Sequence, residues 1–267
     1  MSELVLVEDR GPIRRLTLNR PEKLNALNQE LTDSLSVALA EAADSDEVRV
    51  VVLAGSGRSF CAGYDLEEGS STERAAILES LTHSLERLLE VFDHPNPVIA
   101  EVQGHCLAGG CDLMMMCDLA VASDNAVFGQ PEIRFGSTVV AHVMPWLIGA
   151  RRAKELILTG TEISAIEAER IGLVNRVVPR DRLGDETMRL ARELAVVDPV
   201  AMRLTKRAIN RSWEAAGFRE ALQEGVEIGA EIESARVPER EEFERIATES
   251  GLKEALRWRD ERFDAND

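Results

Sequence analysis

Basic residues are in short supply: 31 Lys and Arg stand against 48 Asp and Glu, a formal net charge of −17. Nucleic acids and anionic membranes are gripped by clustered Lys and Arg, so this balance speaks against both as partners. An anionic small ligand would need a local basic patch or main-chain donors. The four cysteines, Cys61, Cys106, Cys111 and Cys117, make no CxxC pair and have no His at metal-ligand spacing, so no metal site is expected. They read as free thiols, three of them in apolar context where reduced Cys packs as a small hydrophobe. No apolar run approaches the ~20 residues that span a bilayer. The opening MSELVLVEDRG lacks the basic region and long apolar stretch of a signal peptide. A soluble, cytoplasmic protein is therefore expected. Ser/Gly linkers, low-complexity blocks and short repeats are absent as well.

What is present is enough for a sizeable core: 267 residues with 45% apolar content. Residues 4–7 and 13–18 read as two strands joined by a tight turn around 9–12, and 28–43 as an amphipathic helix. The nearly continuous apolar run 48–53 suits a parallel strand buried on both faces. A helix over about 72–92 is stopped by the region of Pro95 and Pro97. Strands are expected at 98–102, 119–122 and 126–128, and a strand-like piece at 173–178. Helices are expected at 150–158, 165–171, 181–196, 199–213, 218–233 and 239–249. Strand–helix alternation followed by a helical last third gives an α/β core with a helical appendage. The expected division is a core over 1–195 and a helical region over 196–267, whose apolar stripes must be buried on the core or on a neighbouring subunit.

The segment 98–135, PVIAEVQGHCLAGGCDLMMMCDLAVASDNAVFGQPEIRF with its preceding proline, is the richest in chemistry. A strand-like run meets a Gly-bearing turn, and a helix-like stretch opens at Gly109-Gly110. Asp112 falls in the first turn of that helix, and Glu132 follows a second short strand. Two acids near the free N–H groups of a helix start could polarise a carbonyl while moving a proton beside it.

Five segments then resemble the crotonase (enoyl-CoA hydratase/isomerase) family, in order and at family spacing. They are TLNRPEKLNALN (17–28), VVLAGSGRSFCAGYDL (51–66), PVIAEVQGHCLAGGCDLMMMCDLAVAS (97–123), FGQPEI (128–133) and LTGTEISAIEAERIGLVNRVVP (158–179). The resemblance implies an α/β fold, a spiral of repeated ββα units with a C-terminal helical trimerisation region. It implies an acyl-CoA thioester substrate, no cofactor beyond the coenzyme A carried by the substrate, and a homotrimer or dimer of trimers. It places an oxyanion hole at the main-chain N–H groups of Tyr64 and Gly109, and a catalytic acid pair at Asp112 and Glu132. Nucleotide and pantetheine contacts fall on Lys23, Leu24 and Ala26 and on Ala62, Tyr64, Asp65 and Leu66, with Arg20, Lys23 and Arg58 offsetting phosphates.

Two departures from the hydratase pattern bear on the reaction. Asp112 stands where hydratases carry a glutamate, and is shorter by one C–C bond, about 1.5 Å. A misplacement of ~1 Å in a catalytic group can cost ~100-fold. Dienoyl-CoA isomerases of the family carry an Asp–Glu pair at these positions, but also an Asp where this chain has Val140. After the Glu132 loop a glycine-rich segment is replaced by FGSTVVAHVMPWLIG (135–149). Val139, Val140, Val143, Met144 and Trp146 are expected to form a bulkier pocket wall. His142 is the one histidine with a chance of acid–base work, whereas His105 reads as a turn residue and His83 and His94 as peripheral. Hydration of a 2-enoyl-CoA is the leading expectation. Isomerisation of an enoyl- or dienoyl-CoA, C–C hydrolysis on the same scaffold, and a non-catalytic acyl-CoA binder or RNA-binding relative stay open.

Overall fold

The computed structural model describes residues 3–68, 71–235 and 237–264. Strands β1 (Val5–Arg10) and β2 (Ile13–Leu18) form an antiparallel hairpin, and the chain turns at Gly11 with φ 62°. The expected turn around 9–12 is thus narrower. Asp9 and Arg10 stay in the strand because β1 is a solvent-facing sheet edge, where charged side chains pair outward: Arg14 with Asp9 at 2.7 Å and Arg10 with Glu8 at 2.9 Å.

Helix α1 (Gln29–Asp44) is capped by Asn28, whose side chain accepts the Leu31 N–H at 3.0 Å. Its buried Leu31, Leu35 and Leu39 recur every fourth residue, the period of one helix face. There follow β3 (Val50–Gly55), α2 (Arg74–Asp93), β4 (Val98–Val102), β5 (His105–Leu107), α3 (Gly109–Met115), β6 (Leu119–Ser123) and β7 (Val127–Gly129). The chain continues through α4 (Met144–Ile148), α5 (Ala150–Thr159), β8 (Ile163–Ser164), α6 (Ala165–Arg170), β9 (Arg176–Val178) and α7 (Leu183–Ala195). Helices α8 (Pro199–Ala215), α9 (Phe218–Ser234), α10 (Pro238–Ser250) and α11 (Leu252–Asp264) complete it.

The large sheet runs β1-β2-β3-β4-β6-β9, parallel from β2 onward, and β5-β7-β8 form a small one. Two single bridges, Leu27 with Tyr64 and Cys61 with Cys106, carry the inner ladder back toward the start of the chain. Successive passes thus lay a strand in the large sheet, a segment in the inner ladder, then a helix. This is the expected mixed α/β fold of ββα units. Every residue of β3 and β4 is buried. Period 2 sends Val50 and Val52 toward Leu183, Leu190 and Ala191 of α7, and Val51 and Leu53 toward the main core under α1 and α2.

Several short elements escaped the sequence reading. Strands β5 and β8 are too short to display alternation, and α11 is largely charged, yet buries Ala255 against Phe135 and Phe243. The strand expected over 173–178 begins only at Arg176. Leu173 and Val174 are buried in the preceding turn, and Asn175 enters the sheet by bonding Ala120 through its N–H at 3.0 Å and its side chain at 2.7 Å. Helix α8 is fastened to the core by Lys206, 2.6 Å from Asp118, and by Arg203, 3.0 Å from the Asn96 side chain. No described helix is long and apolar enough to cross a membrane.

Candidate active site

The first wall of the site is the loop 20–27 laid against 56–65. Leu24 and Asn25 both adopt left-handed backbones, φ 53° and 57°. Asn tolerates that conformation better than most residues, and here its amide also binds the loop together. Fully buried, Asn25 donates to the carbonyls of Ser56 (2.9 Å), Ser59 (2.9 Å) and Phe60 (3.1 Å), and accepts the Arg20 N–H at 3.0 Å. Leu24 accepts the Ala62 N–H at 3.1 Å. Arg20 joins Ala26 O at 2.6 Å to Asp65 at 2.8 Å, and Lys23 pairs with Glu67. Two of the three basic residues expected near a nucleotide are therefore engaged with acids of the facing segment. Arg58 is exposed and has no ion pair among the described residues, and Leu66 is exposed too.

This wall presents the main chain of Tyr64. In the parallel bridge with Leu27, the bonds are Leu27 N–H to Gly63 O (2.7 Å) and Asp65 N–H to Leu27 O (2.8 Å). Tyr64's own N–H faces the opposite side. Across from it Gly109 opens α3, where helix geometry leaves its N–H without an internal acceptor. Among the described residues neither N–H has a main-chain partner. Close contact makes the pairing possible. A Cβ on Gly109 would lie 2.3 Å from Tyr64 Cε2, one on Gly110 would lie 2.3 Å from Cys61 O, and one on Gly63 (φ 106°) would lie 2.6 Å from the Ala108 Cβ. Ala108, just before the helix, is held at φ 52°, ψ −131°. Such a backbone costs an alanine of order 1–3 kcal/mol and is concentrated at functional sites.

The other wall carries the acids. Asp112 is fully buried in the first turn of α3. Its carboxylate accepts the Gln130 side-chain amide at 2.6 Å and the Ala141 N–H at 3.3 Å, with the Val140 N–H also contributing. Burial outweighs these donors and pushes its pKa up to about 8. Glu132 sits in the 3-10 turn Pro131–Phe135 after β7, 8% exposed. Burial first, and the Asp112 charge second, hold it well above the usual carboxylate range. Arg259, brought in on α11, offsets this only in part. Buried Glu132 Oε2 and Gln130 Oε1 have no hydrogen-bond partner among the described residues. Two carboxyls that sense each other, with unsatisfied oxygens beside them, are equipped to exchange protons with a ligand rather than to hold the fold.

The remaining sequence candidates are distributed differently. Val140 is buried beside Asp112 and supplies main chain to it. His142 turns toward α9, its Nδ1 2.9 Å from where a Cβ on Gly225 would stand; that nitrogen is buried without a partner among the described residues, and burial lowers its pKa. Trp146 was expected on the pocket wall. Its ring instead enters an aromatic cluster, 5.2 Å from Phe218 and 6.1 Å from Trp213, because α4 faces α8 and α9. His105, expected in a turn, instead opens β5 directly after the turn at Gly104 (φ 56°), its Nδ1 3.1 Å from Ser59 Oγ. His94 is not peripheral but buried, bonded to Asn96 O at 2.9 Å. All four cysteines are free, and burial pushes the Cys61 thiol up to about 12, which leaves it unreactive. Among the described residues no group of His, Cys, Asp or Glu is placed to hold a metal. Asn25, Gln130 and Arg259 were not singled out from the sequence. Asn25 and Gln130 lay inside quoted motifs, but burial is what gives them roles; Arg259 had no signal in a charged helix.

Comparison with known proteins agrees with this architecture. The family model described as enoyl-CoA hydratase/isomerase matches residues 8–237. A probable enoyl-CoA hydratase of Rhizobium meliloti (strain 1021) is 42% identical over 226 residues, 79% of this chain and 83% of that protein. A probable enoyl-CoA hydratase of Mycobacterium bovis is 38% identical over 224 residues, 80% of this chain and 84% of that protein. The crystal structure of an enoyl-CoA hydratase/isomerase from Xanthobacter autotrophicus Py2 superposes with a TM-score of 0.95 at 38% identity, covering 98% of this chain and 99% of that one. The chain belongs to the enoyl-CoA hydratase/isomerase family, the crotonase fold, and is an enzyme of that family.

Proposed function

We propose that this enzyme adds water reversibly to a 2-enoyl-CoA thioester. The observation that carries the reading is the juxtaposition of two N–H groups without a main-chain partner among the described residues, at Tyr64 and Gly109, with two buried carboxyls of raised pKa, Asp112 and Glu132. The thioester oxygen accepts hydrogen bonds from both amides, and the dipole at the start of α3 favours the negative charge that develops there. Such a donor is worth on the order of 2.7–4 kcal/mol in the transition state. Asp112 is the easier of the two to ionise, since it accepts two or more hydrogen bonds where Glu132 Oε2 has none. As carboxylate it takes a proton from water, whose oxygen bonds to C3. The C2–C3 π pair moves toward the thioester, and neutral Glu132 delivers a proton to C2. Proton exchange between the two acids and solvent restores the starting state.

In this reading Lys23, Leu24, Ala26, Ala62, Asp65 and Leu66 bind the coenzyme A portion, and no further cofactor takes part. Residues 196–267 form the helical region that joins copies into a trimer or dimer of trimers, with Val196, Val200 and Leu204, all exposed on one stripe of α8 and its lead-in, as contact residues. Isomerisation is the second reading, favoured by the Asp112–Glu132 pair and opposed by Val140. Turnover of but-2-enoyl-CoA in oxygen-labelled water separates them. Label in a 3-hydroxyacyl product supports hydration; label in a carboxylate means hydrolysis of the thioester, and unlabelled product with a moved double bond means isomerisation, either of which refutes it.

A further inference from the structure

Tyr64 enters the site through its ring as well as its main chain. The ring lies against Gly109, with Cδ2 and Cε2 occupying the space where a side chain at 109 would begin. It extends to α2, where the hydroxyl pairs with Ser84, and the charges of Asp112 and Glu132 both act on that hydroxyl, so the ring stands within electrostatic reach of both acids. Beyond it is a crevice with room for about one water between α1, α2 and α3, walled by Leu27, Leu35, Leu88 and Leu113, with Ser36 and Arg87 also on its lining. The ring thus fills the space within reach of the carboxyls and leaves only a water-sized apolar crevice behind it.

Resting on the hydratase reading above, we propose that the Tyr64 ring is the stop that sets acyl chain length, making the enzyme selective for short-chain 2-enoyl thioesters. An acyl chain bound by its oxygen at the amides of Tyr64 and Gly109 grows past the carboxyls and meets this ring. Moving the ring aside breaks the hydroxyl pair with Ser84 and empties the contact with Gly109. Neither loss is repaid by the first methylenes to enter. A methylene that finds no room is discriminated against by about tenfold or more. Without the ring, the chain would extend into the volume the ring vacates, against the four leucines, which bury alkyl carbon favourably.

The test compares kcat/KM for but-2-enoyl-CoA and dodec-2-enoyl-CoA. The wild type is expected to prefer the four-carbon chain by about 100-fold or more. Tyr64→Ala should shrink that preference to about tenfold or less, and Tyr64→Phe, which keeps the ring, should retain it. Leu113→Ala widens the cleft behind the closed ring and should alter the preference by no more than about twofold. Equal use of both chains by the wild type, an unchanged preference in Tyr64→Ala, or a preference lost as fully in Leu113→Ala would overturn the proposal. If Tyr64→Ala does not fold, Tyr64→Leu takes its place with the same direction expected. Should neither thioester gain water, the hydratase reading fails separately. Chain-length selection is then read from calorimetric binding of butanoyl-CoA and dodecanoyl-CoA, where the same order is expected and equal affinities overturn it.

Discussion

The two walls of the candidate site are built on opposite principles. Around Tyr64 and Gly109 the main chain is tied together: Asn25 alone joins three carbonyls and an N–H, and glycines let two main-chain segments touch. Among the described residues the amides of Tyr64 and Gly109 are left without a main-chain partner. Around Asp112 and Glu132 the reverse holds, with carboxyls driven into apolar surroundings and, among the described residues, Glu132 Oε2 and Gln130 Oε1 unpartnered. The first wall contributes to stability while it positions donors. The second gives up stability in exchange for proton affinity, as active sites commonly do. Substitutions should therefore separate activity from stability in one wall and couple them in the other.

The largest effect is expected at Glu132. Glu132→Gln should lower kcat by about 10²–10⁴-fold, while thermal unfolding shows a Tm no lower than wild type, because a buried unsatisfied acid is lost. A matching fall in Tm would break the contrast. Gly109→Ala comes next. Its methyl group would meet the Tyr64 ring at 2.3 Å, and displacing that amide should cost about 10²–10³-fold in kcat, here with a lower Tm.

Asp112→Asn is expected to cost about 100-fold in kcat and to reveal the stability penalty of the native acid. A carboxyl whose pKa is about 8 when folded, against 3.8 for the free group, favours the folded state below the lower value and loses that contribution as pH rises through the higher one. Wild type should therefore lose stability across that window. The Asn variant should not, and should melt at least about 2 °C higher than wild type in mildly alkaline buffer. A variant that melts lower there would show that Asp112 is held by its partners rather than strained by burial.

On the satisfied wall, Asn25→Ala removes the donor shared by the carbonyls of Ser56, Ser59 and Phe60, with Ser59 keeping a second donor in Gln103 at 3.3 Å, and forces alanine into a left-handed backbone. A loss of about 3 kcal/mol or more in urea unfolding is expected. The smallest effect is at Gln130. Gln130→Ala removes the 2.6 Å donor from Asp112, which should raise the pKa controlling the rising limb of the pH–rate profile by about one unit. An unmoved limb would show that Gln130 does not act through Asp112.

Much of this was legible in the sequence, for identifiable reasons. Buried parallel strands announce themselves as continuous apolar runs: β4 fell on 98–102 as indicated, and β3 overlapped the expected 48–53 but ran two residues later, from Val50 to Gly55. Helix ends were marked by Asn28 and by the prolines after α2. Gly109, Asp112 and Glu132 could be placed at a helix start and after a short strand from local pattern alone. What could not be read was orientation. Trp146 and Val140 lie six residues apart in one apolar stretch, yet one ring joins Phe218 and Trp213 while the other residue backs Asp112. Nothing in FGQPEI says that the glutamine rather than a water will hold Asp112. Nothing in LKEALRWRDERFD says that Arg259 will be buried near Glu132, since that follows from how α11 packs over Phe135 and Phe243.

The central claim is that Asp112 must shed a proton that burial makes it keep, while Glu132 retains its own. The pH dependence of kcat/KM for but-2-enoyl-CoA hydration tests this most directly. Activity should climb as pH rises through the Asp112 pKa near 8, with the climb absent from the residual rate of Asp112→Asn. A profile already flat through neutral pH in the wild type, or a climb that persists in Asp112→Asn, would contradict it.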